Sequence, residues 1–316
     1  MTVLIIGAGT AGLQVATELL AAGVTDFEIL DKAPFEDMRD MRGRGWPAGP
    51  AERVKAGCDV VGSVFDDDTD TWTLRTGAGE TFQARVVIAA HRGLFAPWIP
   101  AVNKRNDFRG VSFHAADWDP DFDAAGKRVA VVGTDATAGY YLGRLKGAQA
   151  SVTVFAQAPR WVVMRMSPWV PLRTVPALRW LRDHTRPPSG PSVVQSAIEA
   201  LTPAGIRTGE GVEHHADAIV FGTGFRIADG VSDEALVGAG GLTIRQVWHD
   251  GMEPYLGLAV HGFPNYFFLT GPDISRQARY VADCVKLLQS TGRTRIEVLR
   301  SSQQVFNERA HLEPAP

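Results

Sequence analysis

The sequence predicts an α/β protein built on two parallel sheets, and three observations support that prediction. A strand, a glycine-rich loop, a helix and a second strand open the chain. The same order recurs 126 residues later, with Gly133 standing where the first loop has Gly7. Towards the other end, a Gly-Pro-Asp turn follows another buried strand and precedes a helix, whose apolar face is predicted to consist of Ala278, Val281, Ala282, Val285 and Leu288. Because ligands of open α/β sheets bind at the carboxyl ends of the strands, we expect binding sites at these turns.

The first loop has the pattern GxGxxG that is typical of dinucleotide-binding folds. It follows the apolar strand Val3–Ile6, and the strand after the next helix ends on an acid, Asp31. In this pattern Gly7 permits a tight turn, Gly9 lets the backbone approach a pyrophosphate, and Gly12 lets the helix pack closely on the strand. The helix N-terminus offers N–H groups and a partial positive charge to the pyrophosphate. The alternative is a glycine-rich turn in an ordinary βαβ unit.

The second loop departs from that pattern at one position. It follows a buried strand at 127–132 and runs from Gly133 to Ala138, but Asp135 stands where the second glycine is expected. A carboxylate about 5 Å from a phosphate costs roughly 3 kcal/mol at an effective dielectric of ~20. Either Asp135 turns away from the ligand, or this second nucleotide site is weak or lost.

The strand after the second loop indicates which nucleotide it accepts. Counting 24 residues from Gly133, the interval that separates Gly7 from Asp31, leads to Gln157 and not to an acid; Arg160 follows three residues later. An arginine without an acid accommodates a 2′-phosphate, which favours NADPH over NADH. The alternative is that Arg160 is an ordinary surface residue. The predicted contacts of the second site are Gly133, Asp135, Ala138 and Arg160.

Composition excludes several classes of protein. The 316 residues suit about two domains, and a net charge of −3 provides no overall basic field that would attract nucleic acid. No apolar run reaches the ~20 residues of a membrane span, and no signal peptide is expected, because Val3 already belongs to the core. The two cysteines, Cys58 and Cys284, lie far apart, which argues against a disulfide scaffold and favours a cytoplasmic protein.

No pattern in the sequence predicts a metal site or a nucleophilic triad. The acidic residues at 66–70 lack the spacing of a calcium loop and predict a solvated hairpin tip. His214 and His215 have no metal-ligand spacing and are expected in solvent. His114 is expected to be a structural residue that bonds across the two domains. We therefore assign no catalytic residue and no metal ligand.

The segment from Arg160 to Arg186 is rich in arginine, tryptophan and proline. It contains six arginines, three tryptophans and three prolines with a single acid, Asp183. One interpretation is a cationic, aromatic surface that faces cofactor, substrate or membrane headgroups. The favoured interpretation is a short helical cover whose arginines are solvated and whose tryptophans pack on the sheet.

Several motifs, in order, resemble those of one enzyme family. Phe108, Gly110, His114 and Trp118 follow the pattern FxGxxxHxxxW, and 217–225 is similar to DxxxxATGF, with glycine in place of alanine. Three further motifs of this kind are YLG at 255–257, GFPN at 262–265 and GPD at 271–273. On these motifs the chain resembles the flavin-containing monooxygenase and Baeyer–Villiger monooxygenase family.

The resemblance implies an architecture, cofactors and a reaction. It implies two Rossmann-like dinucleotide-binding domains of glutathione-reductase-like topology, with FAD on 1–118 plus 225–316 and NADPH on 119–224; the chain first crosses between them near 97–100. The reaction implied is transfer of one oxygen atom to a ketone, sulfide or amine. The FAD contacts that we predict are Gly7, Ala8, Gly9, Thr10, Ala11, Gly12, Asp31, Lys32, His91, Gly271 and Asp273.

The sequence also departs from the family, as a shortened member would. Family members usually carry a GGTW…YPG segment that covers the flavin. This chain has only a short loop with Arg42–Trp46 there, and 32–57 is expected to have little regular structure. The helical insertion that houses the catalytic arginine of Baeyer–Villiger enzymes is reduced to 161–192. The ATG-like turn before the link between domains is Ala89-Ala90-His91, and Gln157 replaces the arginine of QRxP.

Three hypotheses follow for function. The leading one is a compact FAD- and NAD(P)H-dependent oxidoreductase that oxygenates a small organic substrate. The second is a flavin reductase, or NADPH oxidase, that inserts no oxygen, because an uncovered flavin loses the exclusion of water that protects reactive intermediates. The third is a non-catalytic nucleotide-binding or partner protein. A small-molecule substrate and no nucleic acid are expected as partners, and a homodimer remains open.

Overall fold

The computed structural model describes residues 1–33, 48–91, 93–119, 121–133, 136–155 and 192–312. Its strands, in chain order, are β1 (Val3–Ile6), β2 (Phe27–Leu30), β3 (Val54–Lys55), β4 (Val60–Asp66), β5 (Thr71–Thr76), β6 (Thr81–Ala84), β7 (Val86–Ala89), β8 (Phe95–Pro97), β9 (Val111–His114), β10 (Arg128–Val132), β11 (Ser151–Phe155), β12 (Ser192–Val194), β13 (Ile198–Thr202), β14 (Gly205–Thr208), β15 (Glu213–His215), β16 (Ala218–Phe221), β17 (Phe225–Ile227), β18 (Leu236–Val237) and β19 (Tyr266–Phe268).

The α-helices are α1 (Thr10–Ala21), α2 (Ala48–Ala51), α3 (Ala136–Gly147), α4 (Ile244–Val247), α5 (Ile274–Thr291) and α6 (Arg300–Leu312). Short 3-10 helices lie at Arg105–Asp107, Ala115–Asp117, Asp233–Ala235 and Ala239–Gly241.

The chain divides into two compact units. The first unit consists of 1–96 and 226–304, and the second of 97–225 and 305–316. The predicted domains place residues 97–118 with the first part of the chain. In the structure β9 lies in that stretch and pairs in parallel with β16 of the second unit. The hydrogen bonds of β9 therefore place this stretch in the second unit.

The first unit contains a five-stranded parallel sheet in the order β19-β7-β1-β2-β3. All four residues of β1 and of β7 are buried, as expected for parallel strands that are covered on both faces. Helices α1 and α5 pack together beside this sheet. The predicted apolar face of α5 is confirmed, since its members are all buried: Ala278, Val281, Ala282, Val285 and Leu288.

A four-stranded sheet, in the order β18-β4-β5-β6, also belongs to the first unit. The hairpin of β4 and β5 is where the sequence predicts it, but its acidic tip is bonded to another segment and is not only solvated. Arg295 lies 3.1 Å from a carboxylate oxygen of Asp67 and 3.6 Å from one of Asp70. Thr294 donates to Asp70 at 2.6 Å. The tip therefore anchors the chain that follows α5.

The second unit repeats the parallel arrangement. Its main sheet has five strands in the order β12-β11-β10-β16-β9, all parallel, and a separate antiparallel sheet joins β13, β14 and β15. Residues of α3 and of β10, β11 and β16 share one apolar core. The predicted α/β class with parallel sheets is confirmed in both units.

Some predictions fall outside the described residues. These are the ones on Arg42–Trp46, Asp135, Gln157, Arg160 and the arginine- and tryptophan-rich segment. The stretch at 32–57, expected to have little regular structure, contains α2 and β3, and β3 extends the first sheet by pairing with β2. Among the helices that the structure describes, none is long and apolar enough to cross a bilayer.

Candidate functional site

The first glycine loop, residues 7–12, has the backbone geometry that its pattern predicts. Gly7 has a φ of +103°, a conformation that strains residues with a side chain, and its N–H donates to the carbonyl of Leu30 at 2.7 Å. A β-carbon on Gly12 would overlap the carbonyl oxygen of Gly7. A β-carbon on Gly9 would meet no atom within 4 Å. Two of the glycines are thus required by the fold, whereas Gly9 leaves space for a ligand.

The start of α1 is suited to an anion. Gly9 is the N-cap and carries no side chain that could cap the helix, and the first turn of α1 contains no acidic residue. The N–H of Leu13 donates to the carbonyl of Gly9, which is the first hydrogen bond of the helix. The N–H groups of Thr10, Ala11 and Gly12 precede it and have no acceptor within the helix. Gly9 and Thr10 are exposed. The helix dipole and these N–H groups together favour a phosphate here.

Asp31 lies beside this loop, immediately after β2. One carboxylate oxygen accepts the N–H of Ala8 at 2.5 Å, and the other accepts the N–H of Ala33 at 2.8 Å. Asp31 therefore holds the backbone of the loop, a role that its position in the sequence did not reveal. A carboxylate has about four acceptor positions, so the predicted ribose contact remains compatible with these two bonds.

His91 follows β7 at the same end of the sheet. Its β-carbon lies 3.6 Å from the position that a β-carbon on Gly7 would occupy. Its Nδ1 accepts the N–H of Gly93 at 3.0 Å, so the neutral ring carries its proton on Nε2. Although the side chain is exposed, desolvation lowers the pKa of His91, and the positive charge of Lys32 lowers it further. The structure thus brings His91, Asp31 and Lys32 to the first loop, and their contact with FAD stays a prediction.

The Gly-Pro-Asp turn is held by a residue that sequence reasoning missed, Gln277. Its side-chain oxygen accepts the N–H of Gly271 at 3.1 Å, and its amide group donates to the carbonyls of Leu256 and Gly257, each at 3.2 Å. Gln277 joins the YLG and GPD motifs in this way. The sequence feature that could have identified Gln277 is its position as a polar residue on the otherwise apolar face of α5. Asp273 accepts the N–H of Arg276 and so caps α5.

Replacing Gln277 by alanine is expected to lower the free energy of unfolding by about 1–3 kcal/mol. The side chain is only 8% exposed, so its loss leaves buried backbone groups without their partner. Gln289→Ala, on the exposed face of the same helix, is the control and should change the value by less than about 0.5 kcal/mol. Urea unfolding followed by circular dichroism measures both. Equal effects of the two changes would contradict the bridging role.

The second glycine loop repeats the first at its turn. Gly133 has a φ of +85°, its N–H donates to the carbonyl of Phe155 at 2.9 Å, and a β-carbon on it would overlap the carbonyl oxygen of Gly222. Ala138 is buried at the start of α3. The internal repeat therefore includes the hydrogen bond that the first glycine of each loop donates to the end of the following strand. Asp135 and Arg160, which decide the predicted nucleotide preference, are not among the described residues.

Asp217, the acid of the DxxxxATGF-like motif, forms a two-point ion pair with Arg128. The carboxylate accepts from Nη2 at 2.6 Å and from Nε at 3.1 Å, and it also accepts the N–H of Arg128 at 2.8 Å. Hydrogen bonds from the Arg128 side chain lower the pKa of Asp217 to about 2. The motif residue thus joins the start of β10 to the start of β16.

This ion pair predicts a dependence of stability on pH. The pKa of Asp217 falls from 3.8 to about 2 on folding, so its stabilisation is complete above 3.8 and is lost as the pH falls through about 2. Asp217→Asn is expected to reduce the proton uptake on unfolding between pH 4 and pH 2 by up to about one proton. Unfolding free energies at several pH values measure this slope, with Glu210→Gln, an exposed site, as control. Identical slopes for wild type and D217N would disprove the prediction.

Three histidines differ in their surroundings. His114 is buried, its Nδ1 accepts the N–H of Ala116 at 3.1 Å, and its ring lies 5.7 Å from that of Phe225. These contacts lie within the second unit, and a role for His114 between the units stays a prediction. His214 belongs to β15 and packs its ring edge-on against Phe155, so the expectation that it is solvated is not met. His215 is exposed, as expected.

Within the described part of the chain, no cluster of acidic, histidine and cysteine side chains is placed to hold a metal.

Comparison with curated proteins gives similarity over most of the chain. The chain is 64% identical over 203 residues to an uncharacterized protein of Mycobacterium tuberculosis. That alignment covers 64% of this chain and 57% of the relative. It is 26% identical to a Baeyer–Villiger monooxygenase of Streptomyces coelicolor, covering 97% of this chain and 82% of that protein. A second Baeyer–Villiger monooxygenase, from Pseudomonas aeruginosa, is also 26% identical, over 81% of this chain and 64% of its own length. The predicted resemblance to this family is thereby confirmed.

This chain spans little more than half the length of the mycobacterial relative. No protein-family model matches the chain. Among solved structures, a closed form of cyclohexanone monooxygenase has a TM-score of 0.47 at 20% identity, covering 96% of this chain and 88% of its own. An oxidized steroid monooxygenase bound to NADP has a TM-score of 0.47 at 19% identity, covering 97% and 89%. TM-scores below 0.5 do not establish a common fold, so the fold rests on the topology described above.

Proposed function

We propose that this chain is an FAD- and NAD(P)H-dependent oxidoreductase, a flavin-monooxygenase-like enzyme that oxygenates a small organic substrate such as a ketone, sulfide or amine. The observation that carries the proposal is the first glycine loop, with its open position at Gly9 and the uncapped start of α1. The curated relatives that are named Baeyer–Villiger monooxygenase support it. Each unit is then a Rossmann-like domain, and the chain has a glutathione-reductase-like topology.

The residues of the first loop fit the adenosine-diphosphate part of FAD. The N–H groups at the start of α1 would bind the pyrophosphate, and Gly9 would let it approach the backbone. Asp31 retains acceptor capacity for the ribose beyond its bonds to Ala8 and Ala33. His91 and Lys32 lie at the same edge and add hydrogen-bond donors. Gly271 and the capped start of α5 supply a further helix N-terminus at the carboxyl end of β19.

For the second unit we propose NADPH as the preferred nucleotide. The turn at Gly133 has a positive φ and a hydrogen bond to the end of the next strand, as the turn at Gly7 has. The preference for the 2′-phosphate depends on Arg160 and stays a prediction from the sequence. When bound, the flavin and the nicotinamide supply the redox chemistry, and the protein supplies binding, orientation and electrostatics.

Two free, buried cysteines are compatible with a cytoplasmic location.

The absorption spectrum of the purified protein, with and without added FAD, tests the proposal. We expect bound flavin that NADPH bleaches and that NADH bleaches more slowly. A colourless protein that fails to bind added FAD would disprove the proposal and leave the non-catalytic alternative. A matched Gly9→Ala protein is the control for specific binding at the first loop.

A second measurement separates oxygen insertion from simple oxidation of NADPH. For a monooxygenase with a suitable ketone or sulfide, oxygenated product should account for the NADPH consumed. Hydrogen peroxide formed in equal amount to NADPH, whichever substrate is offered, would identify a flavin reductase or oxidase. That second outcome would follow if the short loop with Arg42–Trp46 left the flavin uncovered, because water exclusion protects reactive intermediates.

A further inference from the structure

A cavity of about 300 Å³ opens in the first unit, between α5, β19 and the segment from Ile296 to Ser302. Asn265 and Tyr266, which line it, lie at the amino end of β19. The first glycine loop follows the carboxyl end of β1, and β1 and β19 belong to one parallel sheet. None of the predicted FAD contacts, all of which the structure describes, lines this cavity, so it forms a separate feature.

The walls of this cavity are aromatic and apolar. Leu258 and Phe267, which line it, belong to the packed core around α5 and are at most 5% exposed, and Ile296 packs against that core. Tyr280 and Leu299, which also line it, are 46% and 68% exposed, so the cavity is open to solvent. Ligand pockets are usually apolar in this way, with a few polar groups that orient the ligand, and range from about 300 to 1,000 Å³. A small molecule is the occupant that such a volume admits.

The cavity offers no net charge to an occupant. Of the described residues that line it, Glu297 alone is ionised. Its carboxylate accepts the N–H of Gly262 at 2.8 Å and lies 3.0 Å from Nη2 of Arg295 and 3.1 Å from Nδ1 of His261. An anion would meet an acid here, and a cation would have to compete with Arg295. An uncharged occupant avoids both costs.

Two polar groups lie one helical turn apart in the lining. Tyr280 and Cys284 both line the cavity, and both project from α5. Burial raises the pKa of Cys284 to about 12 and that of Tyr280 to about 12. Both groups are therefore neutral at pH 7, so the thiol reacts only slowly as a nucleophile. They provide a hydrogen-bond donor and acceptor without charge.

We propose that this cavity binds a small uncharged aromatic or alicyclic molecule with one hydrogen-bonding oxygen. Its ring packs against the apolar lining of Leu258, Phe267 and Ile296, and burial of apolar surface stabilises it. Its oxygen meets the polar pair of Tyr280 and Cys284. This site is independent of the proposed flavin site.

Equilibrium dialysis with 2-naphthol, which is neutral at pH 7, tests the proposal. We expect saturable binding of one molecule with a Kd on the order of 1 mM or tighter. The matched anion 2-naphthoate should bind at least tenfold more weakly. Saturating FAD should leave the naphthol affinity unchanged. Failure of naphthol to bind, equal binding of naphthoate, or competition by FAD would each overturn the proposal, whatever the protein does with flavin.

Two matched serine-to-leucine variants locate the binding. Ser302 lines the cavity, and Ser302→Leu should fill part of it and weaken naphthol at least tenfold. Ser290 is exposed on α5 outside the lining, and Ser290→Leu should stay within twofold of wild type. Melting temperatures of both variants establish that they are folded. Equal affinities for naphthol in the two variants would place the binding elsewhere.

Alkylation of the cysteines gives a readout that needs no variant. Cys284 lines the cavity and is 8% exposed, whereas Cys58 is 2% exposed and does not line it. Naphthol should slow modification of Cys284 by iodoacetamide severalfold, as followed by mass spectrometry, and leave the rate at Cys58 unchanged. Equal slowing at both cysteines would indicate general stabilisation and contradict the site.

Discussion

Gly12→Ala is expected to destabilise the first unit by about 3 kcal/mol or more and to weaken FAD by about 100-fold. The new β-carbon would overlap the carbonyl oxygen of Gly7 and approach the side chain of Ala90 to 3.5 Å. Since the obstructing atom belongs to the backbone, the start of α1 must move away from the turn, and overpacking of this kind is costly. The same displacement moves the N–H groups that are proposed to bind the pyrophosphate, and 1.4 kcal/mol is about a tenfold change in affinity.

Gly9→Ala is the matched comparison in the same loop. A β-carbon there meets nothing within 4 Å, and the φ of −70° at Gly9 is ordinary for alanine. The variant should therefore unfold within about 0.5 kcal/mol of wild type. It should nevertheless bind FAD at least about tenfold more weakly, because the methyl group occupies the space where the pyrophosphate would approach.

Urea unfolding and titration with FAD measure the two effects separately. The prediction is that stability decreases in one variant and affinity decreases in both. A Gly12→Ala protein as stable as wild type would show that the loop is not held as described. A Gly9→Ala protein with unchanged FAD affinity would show that the ligand does not approach at Gly9.

Trp72→Ala is expected to lower the free energy of unfolding by about 3–5 kcal/mol. Trp72 is completely buried on β5, and its ring lies 4.8 Å from that of Tyr266 and 5.1 Å from that of Phe65. Its indole N–H donates to the carbonyl of Pro264 at 2.8 Å. The substitution removes a large apolar group and leaves that carbonyl without its donor.

Trp72→Phe divides the effect into its two parts. It retains most of the ring contacts but removes the donor, so a loss of about 1–3 kcal/mol is expected from the unpaired carbonyl. Val64→Ala, at a residue that is 48% exposed on the same hairpin, is the control and should stay within about 0.5 kcal/mol. Urea unfolding followed by far-ultraviolet circular dichroism measures all three. If W72A resembled V64A, Trp72 would not join the hairpin to the segment before β19.

Local patterns allowed much of this fold to be predicted. The bounds of β1 and the start of α1 follow from an apolar run that ends in GxGxxG, because glycine positions and strand burial are properties of adjacent residues. The buried face of α5 follows from its helical period, and all five predicted members are buried. The second turn, at Gly133, follows from repetition of the first.

The partners of polar side chains could not be predicted in the same way. Gln277 bonds to Leu256 and Gly257, Arg295 pairs with Asp67, and Asp31 accepts the N–H of Ala8. In each pair the two groups are separated by at least 20 residues in sequence. Their meeting depends on which segments the tertiary structure brings together.

The first loop shows both what the sequence predicts and what depends on the tertiary structure. Its sequence determined the turn, the helix that follows and the open position at Gly9, because these depend on backbone conformations that only glycine adopts easily or on the lack of a β-carbon. The tertiary structure decided that Asp31 holds the loop, that His91 and Lys32 lie beside it, and that Gln277 joins the motifs after β18. Periodicity in sequence reports which residues are buried, whereas the contacts of a buried polar group depend on the distant segment that packs against it.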